Sequence, residues 1–103
     1  RAPFTAVGSD QLGVLTPDTR VHPRAYGTFA RLVGPWVRER GLLDLATAIH
    51  RATGLAASIL GLADRGVVAE GAVADLVLLD PHRLTDRSTY EEPTRLATGV
   101  EAV

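Results

Sequence analysis

Phe29, Leu32, Val33, Trp36 and Val37 recur at i, i+3, i+4, i+7 and i+8, which puts five large apolar side chains on one stripe of a helix. A stripe of that width must be buried against something, so it sets what the rest of the chain has to supply. Arg31, Arg38, Glu39 and Arg40 lie mostly off it. The Gly34-Pro35 pair conflicts with an unbroken helix, because proline lacks a donor and its ring crowds the preceding turn. The expectation is a short turn followed by a kink or a restart with Pro35 at the first helical position. Gly41 supplies a stop, and Trp36 is expected in the core.

Two more helices follow. Asp44 is placed to cap the second, whose buried face would be Leu45, Ala48, Ile49 and Ala52, with Gly54 as its end. Residues 55–60 form a shorter third, closed by Gly61. Beyond Gly61 the pattern changes. Residues 66–71 put glycines around a short β-prone piece, and residues 74–79 are a near-continuous apolar run closed by Asp80-Pro81, which reads as a strand. Residues 81–98 are polar and read as irregular, and residues 99–103 begin an alternating strand. At the other end, residues 4–7 are apolar and β-prone and stop at Gly8, so they read as a short buried strand. A loop from Gln11 to Pro23 follows, containing Gly13, Pro17 and Asp18. The chain alone is therefore a mixed α+β piece with about three helices and a few strands.

The bulk numbers narrow the function classes. The 103 residues suffice for one small domain, and a 46% apolar, 22% charged composition is that of an ordinary globular chain. Eleven basic against twelve acidic residues leave a net charge of −1, which gives no field for nucleic acid or an anionic membrane. Without cysteine there is no disulfide framework and no thiolate metal site. No apolar run approaches the roughly 18 residues that a membrane helix needs. A chain with no methionine that begins at Arg1 is expected to be an internal or C-terminal piece of a larger protein.

The chemistry-bearing residues gather near the start. Gly8-Ser9-Asp10 places an acid directly after the expected strand, where open sheets and barrels present reactive groups. Asp10 is a metal ligand, a general base or an Asx-turn former. After the loop, His22-Pro23-Arg24 returns a basic group whose planar fork matches a carboxylate, although Arg24 also fits an ordinary ion-paired arginine. His22, held extended by Pro23, reads as a structural hydrogen-bonding histidine, since no second His or Cys lies at ligand spacing. His50 and His82 read as structural or solvent-facing. Asp75, between Ala74 and Leu76, reads as a buried turn cap or backbone partner, and Asp64-Arg65 as a tight turn. Glycine-rich phosphate loops and Ser-His-Asp order are absent from the sequence.

These residues carry a resemblance. Gly8-Ser9-Asp10, His22-Pro23-Arg24-Ala25-Tyr26-Gly27-Thr28-Phe29 and Leu32-Val33-Gly34 resemble the C-terminal part of the N-acyl-D-amino-acid deacylases (D-aminoacylases) of the amidohydrolase superfamily. The likeness continues through Leu60-Gly61-Leu62-Ala63-Asp64-Arg65-Gly66 and Ala74-Asp75-Leu76-Val77, so it covers essentially the whole chain. Gln11 stands where that family usually has glycine, and Pro35 interrupts a helix that is usually unbroken.

The resemblance implies an α/β parent, a (β/α)8 barrel that holds zinc plus a small β-sandwich built from both ends of the chain. Residues 1–62 would be the last strand, active-site loop and terminal helices of the barrel, and residues 63–103 the C-terminal segment of the sandwich. Asp10 would be the general base toward water and a weak metal ligand, and Arg24 the grip on the substrate's α-carboxylate. The implied reaction is hydrolysis of N-acyl-D-amino acids, coherent with zinc-lowered water pKa and a carboxylate base. Catalytic zinc usually takes three protein ligands and this chain offers one at best, so the chain alone is expected to bind no zinc and to be inactive. Its expected partners are the substrate and, through exposed apolar faces, the remainder of the barrel or a second copy; its expected compartment is the cytoplasm. Two alternatives stand beside this: another amidohydrolase tail, dihydropyrimidinase-like or dipeptidase-like, and a non-catalytic packing module.

Overall fold

A computed structural model describes residues 2–11 and 21–103; Gly13, Pro17 and Asp18 of the expected loop lie outside the described residues. Helix α1 spans Arg24–Arg31 and runs without a break into a π-helical segment, Leu32–Glu39. Helices α2 (Leu45–Ala52) and α3 (Gly54–Ile59) follow, and then strands β1 (Leu78–Leu79) and β2 (Val100–Ala102). Among the described residues there are thus four helical segments, where about three helices were expected, because the first one divides.

The division has a local cause. Pro35 can neither donate to the turn before it nor fit its ring into α-helical spacing. Widening to the i→i+5 register accommodates it, so the helical run continues through Pro35 and does not restart there. The wide turn is also fastened from outside: Arg38 donates from Nη1 to Pro81 O (2.9 Å) and to Leu84 O (2.8 Å). Gly34 faces the same carbonyl, since a Cβ there would sit 3.0 Å from Leu84 O. Gly41 ends the segment at φ +57°, its N–H donating to Val37 O, as the sequence led us to expect.

Asp44 caps α2, its Oδ1 accepting from Thr47 N at 2.8 Å while Thr47 Oγ1 donates to Oδ2 at 2.6 Å. Those hydrogen bonds, led by the Thr47 hydroxyl, hold the Asp44 pKa below its ordinary value. The α2 helix ends one residue earlier than expected: Thr53 (φ −129°, ψ −89°) makes the break and Gly54 opens α3. Gly61 closes α3 at φ +71°.

The core is small. Ala30 and Val33 from the first helical run pack with Leu84, and Leu45, Leu79 and Ala97 close around them. Helices thus lie against the irregular second half of the chain, and each half covers the other's apolar residues. Of the original stripe, Leu32 and Val33 are buried, whereas Phe29 is 51% and Trp36 42% exposed, so Trp36 is not a core residue. Ile49 is also on the surface. An apolar face that wide without cover is unusual for a finished monomer.

The strand expectations are realised only where a neighbour exists. Strands β1 and β2 pair antiparallel, Leu78 with Ala102 and Leu79 with Val100, with an irregularity between Leu78 and Leu79. Residues 74–77 lie outside β1, and residues 4–7 are turn and irregular backbone rather than a buried strand. The segment at residues 4–7 is held instead by single bonds, Thr5 N–H to Ala2 O at 3.4 Å and Val7 N–H to Arg51 O at 3.0 Å. Residues 66–71 are turns and bends, and residues 81–98 are irregular apart from a bridge between Thr85 and Thr98. Asp75 is exposed and ion-paired with Arg65, not buried. Among the described residues no helix is long and apolar enough to cross a membrane.

Candidate functional site

Arg24 is the first residue of α1, and the chain before it explains why the helix starts there. Pro23 has helical φ and no N–H to leave unsatisfied. It offers no side-chain cap, so the donors of the first turn need other partners. His22 O takes the Ala25 N–H, Pro23 O takes those of Tyr26 and Gly27, and the His22 ring takes that of Arg24 through Nδ1 at 3.1 Å. His22 is therefore a hydrogen-bonding histidine, as its context led us to expect. Because Nδ1 accepts, the neutral ring carries its proton on Nε2, which faces Tyr90 Oη at 3.2 Å. The two rings meet edge to face, with centroids 5.2 Å apart.

The opposite charge comes from the arm before the loop. Asp10 has φ +52°, a left-handed conformation that aspartate tolerates better than most residues. Its Oδ2 lies 3.1 Å from Arg24 Nη1. The two residues singled out from sequence are thus brought together across the loop. Their side chains are 91% and 44% exposed, so the pair contributes little to stability and both groups stay open to a ligand. Among the described residues Asp10 is the ion-pair partner of Arg24, whose guanidinium carries five N–H donors in a planar fork.

Behind Arg24, segment 86–90 packs on the same face of α1 and closes a cleft of about 110 Å³. Asp86 is its anchor. The Asp86 side chain is almost wholly buried, and its Oδ2 accepts from Arg31 Nε at 2.9 Å and Nη2 at 2.7 Å. Its Oδ1 accepts from Ser88 N at 2.8 Å and Oγ at 2.6 Å. Burial pushes the Asp86 pKa up, but the hydrogen bonds from Ser88 and the Arg31 charge outweigh it, leaving the carboxyl below its ordinary value. Ser88 Oγ is also 3.1 Å from Pro23 O, so its single proton is shared between two acceptors. Gly27 permits this approach, since a Cβ there would come within 2.4 Å of Ser88 Oγ and closer still to Asp86.

Asp86, Ser88 and Tyr90 were not singled out from sequence. A local signal existed in Asp86-Arg87-Ser88, an acid whose side chain reaches the amide two residues on. The partner residues, 55 and 68 positions away, leave none.

Metal ligation is a separate matter. Among the described residues no group of three or more His, Asp or Glu side chains converges on a point where a cation could be held. Asp10 contributes one exposed carboxylate, and its near neighbour is a cation. That donor set does not fit a catalytic zinc.

Comparison with known proteins agrees with the geometry. Residues 3–103 match the Amidohydrolase family. An N-acyl-D-aspartate deacylase of Alcaligenes xylosoxydans xylosoxydans is 48% identical over 101 residues, covering 98% of this chain and 20% of its own length. A crystal structure of a D-aminoacylase superposes with a TM-score of 0.84 at 47% identity, over 93% of this chain and 20% of that one. The N-acyl-D-glutamate deacylase of Bordetella bronchiseptica, solved with zinc and a phosphonate mimic of the tetrahedral intermediate, gives 0.87 at 44% identity, over 96% and 20%. The chain spans about a fifth of the length of the relatives it matches. With a family match over nearly every residue and close superposition on solved members, this chain belongs to the amidohydrolase family.

Proposed function

We propose that this chain is the C-terminal portion of a zinc-dependent hydrolase that removes the acyl group from N-acyl-D-amino acids. In that reading residues 1–62 complete a (β/α)8 barrel and residues 63–103 contribute to a small β-sandwich. Exposed Phe29 and Trp36 would then be covered by the rest of the barrel. Asp10 is at most a weak zinc ligand, the others coming from outside this chain, which alone is inactive, and the whole enzyme works in the cytoplasm.

The observation that carries the reading is the 3.1 Å approach of Arg24 to Asp10, two accessible groups of opposite charge, one at the first position of a helix and one on the connection before it. Arg24 binds the substrate's free α-carboxylate through its planar fork, which fixes the amide relative to Asp10. Asp10 takes a proton from the water that attacks the acyl carbonyl. The exposed carboxylate suits this role because it needs no conformational change to reach solvent. The deacylase names of relatives at 44–48% identity support the same substrate class.

The test is hydrolysis of N-acyl-D- and N-acyl-L-amino acids by the full-length protein and its Asp10→Asn variant. The D-series is expected to be cleaved preferentially. Asn keeps the left-handed backbone and removes the charge, so kcat should fall by about 10²- to 10⁴-fold with KM little changed. Full activity in Asp10→Asn would remove the base from the account.

A further inference from the structure

Segment 86–90 does more than cover α1. It touches the start of that helix at two points, Ser88 Oγ on Pro23 O and Tyr90 Oη on His22 Nε2, immediately before the residue that carries the guanidinium. His22 passes the second contact on, because its other ring nitrogen accepts the Arg24 backbone N–H. Tyr90 is itself placed from both sides. Four residues earlier the chain is pinned by the buried Asp86 to Arg31. Around it, a turn closes between Thr89 and Glu92, with Glu92 N donating to Thr89 Oγ1 at 3.0 Å and Thr89 N to Glu92 O at 3.2 Å. The Tyr90 side chain is itself largely exposed, so what its backbone anchoring delivers is the hydroxyl against the imidazole edge, and the imidazole in turn accepts the first amide of α1.

We infer that Tyr90 is a positioning residue for substrate binding, acting through His22 to set the backbone from which Arg24 reaches the substrate's carboxylate. The relay is Tyr90 Oη, His22 Nε2–H, His22 Nδ1, Arg24 N–H, in which each link fixes the next. If the hydroxyl is lost, the ring Nε2–H loses its acceptor, and the imidazole is free to turn away from the Arg24 amide. Arg24 keeps its charge, but its fork is no longer presented in one orientation. Bidentate recognition suffers more from such loosening than a point charge would. This inference rests on the reading of Arg24 as the carboxylate grip.

The experiment is a double-mutant cycle in the full-length enzyme with Tyr90→Phe, Arg24→Ala and the pair, measuring KM and kcat on an N-acyl-D-amino acid. Phenylalanine keeps the edge-to-face ring contact and removes the hydroxyl alone. Tyr90→Phe should raise KM about 3- to 10-fold, the size of one hydrogen bond, with kcat within about two-fold. In the Arg24→Ala background the same change should do nothing further, because its effect passes through the guanidinium. An unchanged KM in Tyr90→Phe beside a raised KM in Arg24→Ala would overturn the positioning role and leave the grip standing. Equal effects of Tyr90→Phe in both backgrounds would overturn it as well, by making the tyrosine a general structural support. An unchanged KM in Arg24→Ala would overturn both readings together.

Discussion

Arg24 stands on a helix start that is tied down from several sides, whereas Asp10 stands on an extended arm laid over the surface. The first half of the site is anchored by two buried polar groups, Asp86 to Arg31 and Ser88 to Pro23, and by the exposed His22 ring to the Arg24 amide. The arm meets the body through Val7 N–H to Arg51 O, Thr5 Oγ1 to Arg51, and Asp10 to Arg24 itself. The difference lies in where each half finds its partners. Among the described residues, the contacts that fix the start of α1 beneath Arg24 come from residues 22–31 and 86–90. The apolar run at residues 4–7 has no strand beside it among the described residues. One half of the site is thus fastened to the body at several points, and the other at few.

That contrast can be broken most strongly at Gly27. A methyl group there meets Asp86 and Ser88 well inside contact distance, so Gly27→Ala must push segment 86–90 off α1. Overpacking of this kind costs about 1–3 kcal/mol, readable as a lower denaturation midpoint. A melting curve like that of the unmodified protein would mean that the anchor is loose. Asp86→Asn should have a smaller, pH-dependent effect. The folded-state pKa of Asp86 lies below its ordinary value, so the ionised form contributes stability above about pH 4, which is lost as pH falls through the lowered value. The unmodified protein should therefore lose stability on acidification below that range more steeply than Asp86→Asn does; parallel pH profiles would contradict the anchor role. The smallest effect belongs to the arm. Gly8 has open space around it, and Gly8→Ala should change stability by about 0.5 kcal/mol or less. A large loss there would show that the arm is packed as tightly as the helix start.

How far the sequence could be read follows the same division. Asp44 as a cap and Gly41 and Gly61 as left-handed stops were legible because their signals are local: a side chain reaching three residues on, and glycines whose positive φ other residues avoid. Asp10 and Arg24 stood out as an acid and a base flanking one loop, and the structure brings them together. The π-helical segment was not legible. Pro35 announces a disturbance but not its kind, and the choice of a widened turn depends on Arg38 meeting the carbonyls of Pro81 and Leu84 more than 40 residues away. Strand propensity at residues 4–7 and 74–77 misled for a related reason, because a ladder exists only with a neighbour to complete it. Trp36 belongs to a true stripe of which only part is covered among the described residues. Segment 86–90 was hidden most thoroughly, since a polar, irregular stretch gives no period and its partners on α1 are distant in sequence.

The account stands or falls on Arg24 as the group that recognises a free carboxylate. The direct measurement is KM and kcat of full-length Arg24→Ala on an N-acyl-D-amino acid, compared with the same enzyme carrying Arg24→Lys. Loss of a charge-assisted, bidentate contact is expected to raise KM by about 10- to 100-fold, with kcat changed far less. Lysine, which keeps the charge but not the fork, should recover part of that loss. A KM unchanged in Arg24→Ala would contradict the account.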